Sequence, residues 1–136
     1  MSIGQGIGIT SPLNPANFNP PEVGISFDLT TVDDTPSKIC EISTNDMNAV
    51  LIEVEVVCLS NDETVIGAFI RRVLAQNNDG TLTLGLNHAN HTDKNYVGLD
   101  VGFNINAQNV EVLVTGHPTK TIKWRARLAR LFQIKV

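Results

Sequence analysis

The stretch from residue 122 to residue 136 alternates apolar and polar side chains, and this alternation constrains the fold more than any other feature of the sequence. A period of two indicates a β-strand, because successive side chains of a strand point to opposite faces. The polar side holds Lys123, Arg125, Arg127, Gln133 and Lys135. The opposite side, interrupted by Arg130, holds Ile122, Trp124, Ala126, Leu128, Phe132, Ile134 and Val136. We therefore predict a long strand whose apolar side faces a core.

Shorter segments upstream have the same β character. Candidate strands are residues 23–32, 37–42, 48–60, 81–86, 97–107 and 109–116. The sequences NNDG (77–80) and HPTK (117–120) are typical of tight turns between strands. Seven or eight short strands with no crossover helices predict an all-β fold, an antiparallel β-sandwich or jelly roll.

Residues 60–76 fit either a helix or a strand. Ser60 and Glu63 have the spacing of a capping box, and apolar residues between 65 and 74 recur at helical intervals. Gly67, several β-branched residues and the hairpin turn that follows favour a strand, which is our prediction. The polar segment 86–98, LNHANHTDKNYVG, is predicted to be a long loop.

The size and composition of the chain indicate one domain, residues 22–136. With 136 residues and 42% hydrophobic content, it can form a core without metals or disulfides. Cys40 and Cys58 lie in apolar runs and are expected to be buried thiols, with a disulfide as the less favoured alternative. No apolar run approaches the roughly 20 residues of a membrane helix, and the N-terminus lacks the pattern of a signal peptide. We expect a soluble protein that is not exported.

Residues 1–21 are predicted to form an extended N-terminal arm. They contain four Pro, three Gly and no charged side chain, which disfavours a helix or a central strand. They are nevertheless too apolar for a solvated linker. We expect the arm to cover its apolar side chains on a partner subunit, and an arm folded along its own domain is the alternative. The side chains concerned are Ile3, Ile7, Ile9, Leu13 and Phe18.

Charge is distributed unevenly along the chain. The formal net charge is −4, yet residues 1–63 contain ten acidic side chains and one basic one, whereas residues 112–136 contain six basic and no acidic ones. We predict that Lys123, Arg125 and Arg127 meet acidic strands of this subunit or a neighbour, with roughly 0.2–1 kcal/mol gained per cross-strand pair. Nucleic-acid binding is not expected, because Trp124 points away from this basic row and cannot stack on a base held there.

Metal and hydrolase chemistry find little support in the sequence. His88, His91 and Asp93 are close in sequence and His117 is distant, but a metal site needs three or four converging ligands. No GxSxG motif is present, and the glycines at positions 4, 6 and 8 do not lie between a strand and a helix as phosphate-binding glycines do.

A pair of carboxylates was also considered as an acid–base site. Glu53 and Glu55 fall on one side of a predicted strand, about 7 Å apart. An ion-pair face for the basic C-terminal strand accounts for them more economically. The sequence thus predicts a non-enzymatic protein without catalytic residues, cofactor or metal.

The second half of the chain resembles small β-rich domains of tailed-bacteriophage virion proteins. The matching segments are AFIRRVLAQNNDGTLTL (68–84) and VEVLVTGHPTKTIKWRARLARL (110–131), the second similar to an ending of "VTG, short turn, TI-x-W-x-A". These motifs are structural: a hairpin turn, a glycine before the last turn and a core Trp. The resemblance implies a virion protein, assembled in the host cytoplasm and trimeric, and transfers no catalytic residue.

Three functions are compatible with these sequence features. A compact domain with an apolar arm suits a head decoration or cement protein that binds the major capsid protein, which is our first expectation. The alternative is a tail or tail-fibre component that binds a receptor. A carbohydrate-binding module is a third possibility, for which Tyr96 is the one plausible exposed aromatic platform. In the first two functions the interface residues would be those of the arm together with Lys123, Arg125 and Arg127.

Overall fold

The computed structural model describes residues 17–18 and 23–136. For residues 17–18 and 86–89 it describes the backbone alone. These residues contain no helix, so the predicted all-β class is confirmed. The nine strands are β1 (Asn17–Phe18), β2 (Ser26–Thr31), β3 (Ser37–Ser43), β4 (Ala49–Ser60), β5 (Ile66–Asn78), β6 (Thr81–Lys94), β7 (Asp100–Asn106), β8 (Asn109–Thr115) and β9 (Ile122–Ile134).

The strands form two sheets that enclose one core. The four-stranded sheet has the order β1-β3-β8-β7, and the five-stranded sheet has the order β2-β9-β4-β5-β6. The short parallel pair β1–β3 is the exception among antiparallel pairs. The predicted antiparallel β-sandwich is therefore confirmed.

The ambiguous segment 60–76 is a turn followed by a strand. Ser60 does not cap a helix: its Oγ accepts hydrogen bonds from the amides of Thr64 (3.1 Å) and Val65 (2.9 Å) within the β4–β5 turn. Glu63 has a φ of 63°, a left-handed conformation that suits a tight turn. Buried and less buried residues then alternate along β5, with Phe69 and Val73 in the core.

The predicted loop over residues 86–98 is wrong for most of its length, because β6 continues to Lys94. β6 lies at the edge of the five-stranded sheet and pairs with β5 alone. Its register shifts opposite Ile70/Arg71 and Val73/Ala75, which marks β-bulges. An edge strand with bulges needs backbone pairing on one side only, so polar residues are compatible with it.

The two predicted turns are confirmed. In the first, Asn78 pairs with Thr81 across Asp79 and Gly80, whose φ values of 53° and 90° match a two-residue hairpin loop. In the second, His117 and Lys120 form an isolated antiparallel bridge.

Strand β9 departs from the predicted alternation in its second half. The register with β4 shifts between Val54↔Leu128 and Glu53↔Arg130, so that Ala129 is an extra residue. A bulge of this kind reverses which residues face the core. Phe132 and Ile134 are consequently 76% and 59% exposed, which corrects the prediction that they face the core. Val136, also predicted there, is exposed as well.

Core packing centres on Trp124, as predicted. Its side chain is 1% exposed, Nε1 donates a hydrogen bond to Thr31 Oγ1 (2.9 Å), and its ring lies 6.2 Å from that of Phe69. Cys40 and Cys58 are buried free thiols, again as predicted. Burial raises the pKa of Cys40 to about 12 and that of Cys58 to about 11.

Little of the predicted arm is described. Residues 1–16, which include Ile3, Ile7, Ile9 and Leu13, lie outside the described residues. Within 1–21, the backbone of Asn17 and Phe18 pairs with Glu41 and Ile42 of β3, so this part lies along its own domain. The boundary between residues 21 and 22 stays a prediction. Among the described residues, no helix is long and apolar enough to cross a membrane.

Candidate functional site

Exposed apolar side chains gather on the outer face, which is the side of the five-stranded sheet that points away from the core. At one end, the register places Leu59 beside Ile66 and Val57 beside Ala68. We call these four residues the upper cluster. At the other end, Leu51 lies beside Leu74 on β5 and beside Phe132 on β9. These three and Ile134 form the lower cluster. Six of the exposed large hydrophobic residues belong to the two clusters: Val57, Leu59, Ile66, Leu74, Phe132 and Ile134.

Ion pairs occupy the outer face between and beside the clusters. Arg125 Nε is 2.7 Å from Asp28 Oδ1, and Arg127 pairs with Glu55. The hydrogen bond from Arg125 holds the pKa of Asp28 below its usual value. The predicted pairing with acidic strands is thus found within this subunit for Arg125 and Arg127, whereas Lys123 forms no ion pair with a described side chain. An interface role for these arginines stays a prediction.

The carboxylates considered as an acid–base pair are both bound to arginines. Glu53 accepts a hydrogen bond from Arg72 at 2.8 Å, and Glu55 accepts from Arg127. The two partners are supplied by β5 and β9, which flank β4. Both carboxylates are therefore engaged in cross-strand ion pairs on the sheet surface, as the ion-pair interpretation predicted.

Two shallow grooves follow the outer face. One, of about 360 Å³, has an apolar floor that includes Val57 and Ile70 and a charged rim that includes Glu55 and Arg127. The other, of about 460 Å³, runs beside it along Leu29, Leu59 and Lys123. A broad, shallow surface with an apolar floor and paired charges suits contact with another macromolecular surface better than enclosure of a small molecule.

The opposite surface of the sandwich differs in character. On the outer side of the four-stranded sheet, Lys38 lies 3.4 Å from Glu41 and 3.9 Å from Glu111. Asn109 and Asn104 donate hydrogen bonds to the same two glutamates, at 3.2 and 3.1 Å. These polar groups therefore satisfy one another, whereas the two clusters of exposed apolar residues lie on the five-stranded sheet.

The histidines considered as metal ligands lie on different elements. His91 is exposed on β6 beside Ile70, and the backbone of His88 pairs with Arg72. His117 lies in the β8–β9 turn, where Nδ1 accepts a hydrogen bond from the Thr119 amide at 3.0 Å. Across residues 23–85 and 90–136, no three His, Cys, Asp or Glu side chains converge as metal ligands.

Tyr96 is packed against its surroundings. Its ring centroid lies 4.4 Å from that of His117, and it contacts the edge of the core. A Cβ added at Gly98 would come within 2.6 Å of Tyr96 Cε2, so the backbone also lies close to the ring. This packing leaves less of the ring free to stack on a sugar and weakens the carbohydrate-binding alternative.

Two arginines of β5 matter more than the sequence analysis indicated. Arg71 is 5% exposed and joins the two sheets: Nε donates to the Val101 carbonyl of β7 (2.9 Å), and Nη1 donates to the His91 carbonyl of β6 (2.8 Å). Arg72 pairs with Glu53, as described above. The register of the β4–β5 hairpin, once β5 is taken as a strand, is the signal that would have placed Arg72 beside Glu53.

Comparison with known proteins gives only remote likenesses. No family model matches the chain, and no curated protein matches it. Among solved structures, the tailspike protein of Acinetobacter baumannii phage AM24 has a TM-score of 0.44 at 5% identity over 81% of this chain. The tailspike protein of Acinetobacter phage vB_ApiP_P1 has a TM-score of 0.40 at 10% identity over 98% of this chain.

The chain spans about a quarter of the length of these structures, 27% and 24%. Both neighbours are phage virion proteins, the class that the sequence resemblance also implied. At these TM-scores the likeness is one of general architecture, and it carries no inference about activity or binding.

Proposed function

We propose that this chain is a non-enzymatic structural module of a tailed-bacteriophage virion, located in the tail, that acts by associating through the outer face of its five-stranded sheet. The observation that carries the proposal is the concentration of exposed apolar residues on that face. Large exposed apolar patches on a folded domain mark interaction sites, and here three nearby arginines, Arg72, Arg125 and Arg127, already have ion-pair partners within the subunit. The virion assignment itself is supported by the resemblance of residues 68–84 and 110–131 to phage virion domains.

The tail assignment replaces head decoration as the preferred location. The decoration hypothesis depended on an apolar arm that leaves the domain to bind the capsid. The backbone of Asn17 and Phe18 instead continues the four-stranded sheet of the same chain, and residues 1–16 lie outside the described part. Capsid binding therefore has no structural support, whereas an associating sandwich suits a tail component.

The non-enzymatic assignment is supported by the ion pairs in which the acidic residues take part. Asp28, Glu53 and Glu55 each bind an arginine of a neighbouring strand. In that role they stabilise the sheet surface, with roughly 0.2–1 kcal/mol per cross-strand pair.

Immunogold electron microscopy of purified virions tests the proposal. Antibodies raised against the purified chain are expected to label the tail. Label distributed over the head would restore the decoration hypothesis. Absence of label, together with absence of the chain from virions by mass spectrometry, would overturn the virion assignment.

A further inference from the structure

We propose that the outer face binds a second copy of this chain, face to face about a two-fold axis that runs along the seam between β4 and β5. This inference rests on the proposed function and names its partner. The two sheets would stack at the usual separation of about 10 Å, with their strands nearly aligned.

The seam is self-complementary. A two-fold axis along it places each β4 residue over the second copy of its own β5 neighbour. The register pairs Leu59 with Ile66 and Val57 with Ala68, so apolar residues would meet apolar residues. The same register pairs Glu53 with Arg72, so opposite charges would meet there.

Charge is also complementary at the margins of the face. The axis brings β9 of one copy over β6 of the other, because these strands flank the seam on opposite sides. The outer side of β9 carries Lys123, Arg125 and Arg127, whereas β6 carries the exposed Asp93; the registers place Asp93 in the row of Arg125, with Lys123 two residues further along β9. Lys94 does not pair with Asp93, because its Nζ donates instead to the carbonyls of Val97 and Leu99. Among described side chains within 4 Å, neither Lys123 nor Asp93 has an ion-pair partner.

The face is large enough for a stable dimer. Four strands overlap about this axis, β9, β4, β5 and β6; spaced about 4.8 Å apart, with the β4 residues 49–59 at about 3.3 Å each, they cover roughly 700 Å². A standard protein interface buries about 800 Å² on each partner. The face therefore has the area as well as the chemistry of a homodimer interface.

Light scattering of the full chain over a range of concentrations, combined with the introduction of a charge into the upper cluster, tests this inference. The wild type is expected to be a dimer or an even multiple. Val57→Glu is expected to raise the dissociation constant by about tenfold or more, because it places a carboxylate among the apolar residues of the upper cluster. Val32→Glu is the matched control, since Val32 is 64% exposed, Val57 is 51% exposed, and Val32 lies outside the strands.

A charge swap at the margins keeps the test valid if Val57→Glu fails to fold. Lys123→Asp and Asp93→Lys are each expected to weaken association by about three- to tenfold. The double variant, which restores opposite charges in reversed positions, is expected to recover wild-type affinity.

The outcomes separate this inference from the function on which it rests. An oligomer insensitive to Val57→Glu and to the swaps, or a trimer, would overturn the two-fold contact and leave association intact. A monomeric wild type would overturn this inference and leave the proposed function to be decided by the immunogold labelling of virions.

Discussion

Trp124, Thr31 and Gly116 are packed closely together. Thr31 Oγ1 accepts the indole hydrogen bond at 2.9 Å, and a Cβ added at Gly116 would lie 2.5 Å from the same oxygen and 2.8 Å from the Asp33 carbonyl oxygen. The glycine before the last turn therefore leaves room for the hydroxyl that satisfies the buried indole. Buried Trp side chains generally need such a partner for their N–H group.

Truncation of Trp124 should be costly. Trp124→Ala is expected to lower the free energy of unfolding by roughly 3–5 kcal/mol, because it removes a buried side chain and leaves a cavity. Trp124→Phe keeps most of the volume but leaves the Thr31 hydroxyl without its donor, and it should cost about 1–3 kcal/mol. Urea denaturation monitored by circular dichroism measures both. A melting temperature unchanged by Trp124→Ala would contradict the burial of this residue.

A single residue could be assigned to the core from the sequence where its strand has one clearly apolar side. Trp124 could be assigned to the core because an alternating strand has one buried face. Phe132 could not, because the bulge at Ala129 depends on the register with β4 and leaves no mark in the alternation except Arg130. Arg130 was the only sign in the sequence that the alternation of core-facing and outward-facing residues is reversed in the second half of β9.

Strand β9 pairs with β2 on one side and with β4 on the other. Its bulge lets the first half bury Trp124 and Leu128 while the second half presents Phe132 to the outer face. The extra residue, Ala129, has no direct partner on β4.

Deletion of Ala129 should therefore be tolerated. The residues on both sides keep their partners, because Leu128 still pairs with Val54 and Arg130 with Glu53. We expect a folded variant with a straighter strand. Deletion of Ala126 is the matched control: a one-residue slip moves every side chain on one side of the deletion to the other face. That variant should lose at least about 3 kcal/mol, the magnitude of a lost core residue.

Thermal unfolding followed by circular dichroism distinguishes the two deletions. Equal destabilisation by both would show that the residue at position 129 belongs to the ladder, and the bulge assignment would fail.

Element types were predictable wherever apolar periodicity was strong, and even the helix-like segment 60–76 was assigned correctly because of its neighbouring turn. Strand β6 was missed beyond Leu86. β6 is an edge strand, and its backbone hydrogen bonds to β5 are enough to hold it in the sheet. Polar residues such as Asn90 and Asp93 can therefore lie at this solvent-exposed edge. Polarity alone could not distinguish such a strand from a loop.

At the scale of the whole molecule, the buried apolar core formed by the described side chains runs from Phe27 to Leu128. Deletion of residues 2–20 is expected to leave the β spectrum by circular dichroism, and any effect should appear in attachment to the virion. Loss of the β spectrum would show that the arm belongs to the core. A shorter deletion of residues 2–16, which keeps β1 paired with β3, serves as the control for loss of that edge strand.

The overall architecture followed from the sequence, but the candidate surface did not. A sandwich is predicted by many short strands without helices. The outer face depends on which residues of β4, β5 and β9 lie side by side, and that requires registers between segments up to about 80 positions apart in the chain, such as Leu51 with Phe132. No local pattern contains this information.

The position of β9 between β2 and β4 also has a consequence during synthesis. The hairpins from β4 to β6 can form as soon as they leave the ribosome, but β2 has no other neighbour in its sheet and must wait for residues 122–134. Until then, β2 and one side of β4 present unpaired backbone groups to other nascent chains. Folding of this domain is thus completed only after residues 122–134 have been synthesised, and a chain truncated before residue 122 would expose these unpaired strand edges.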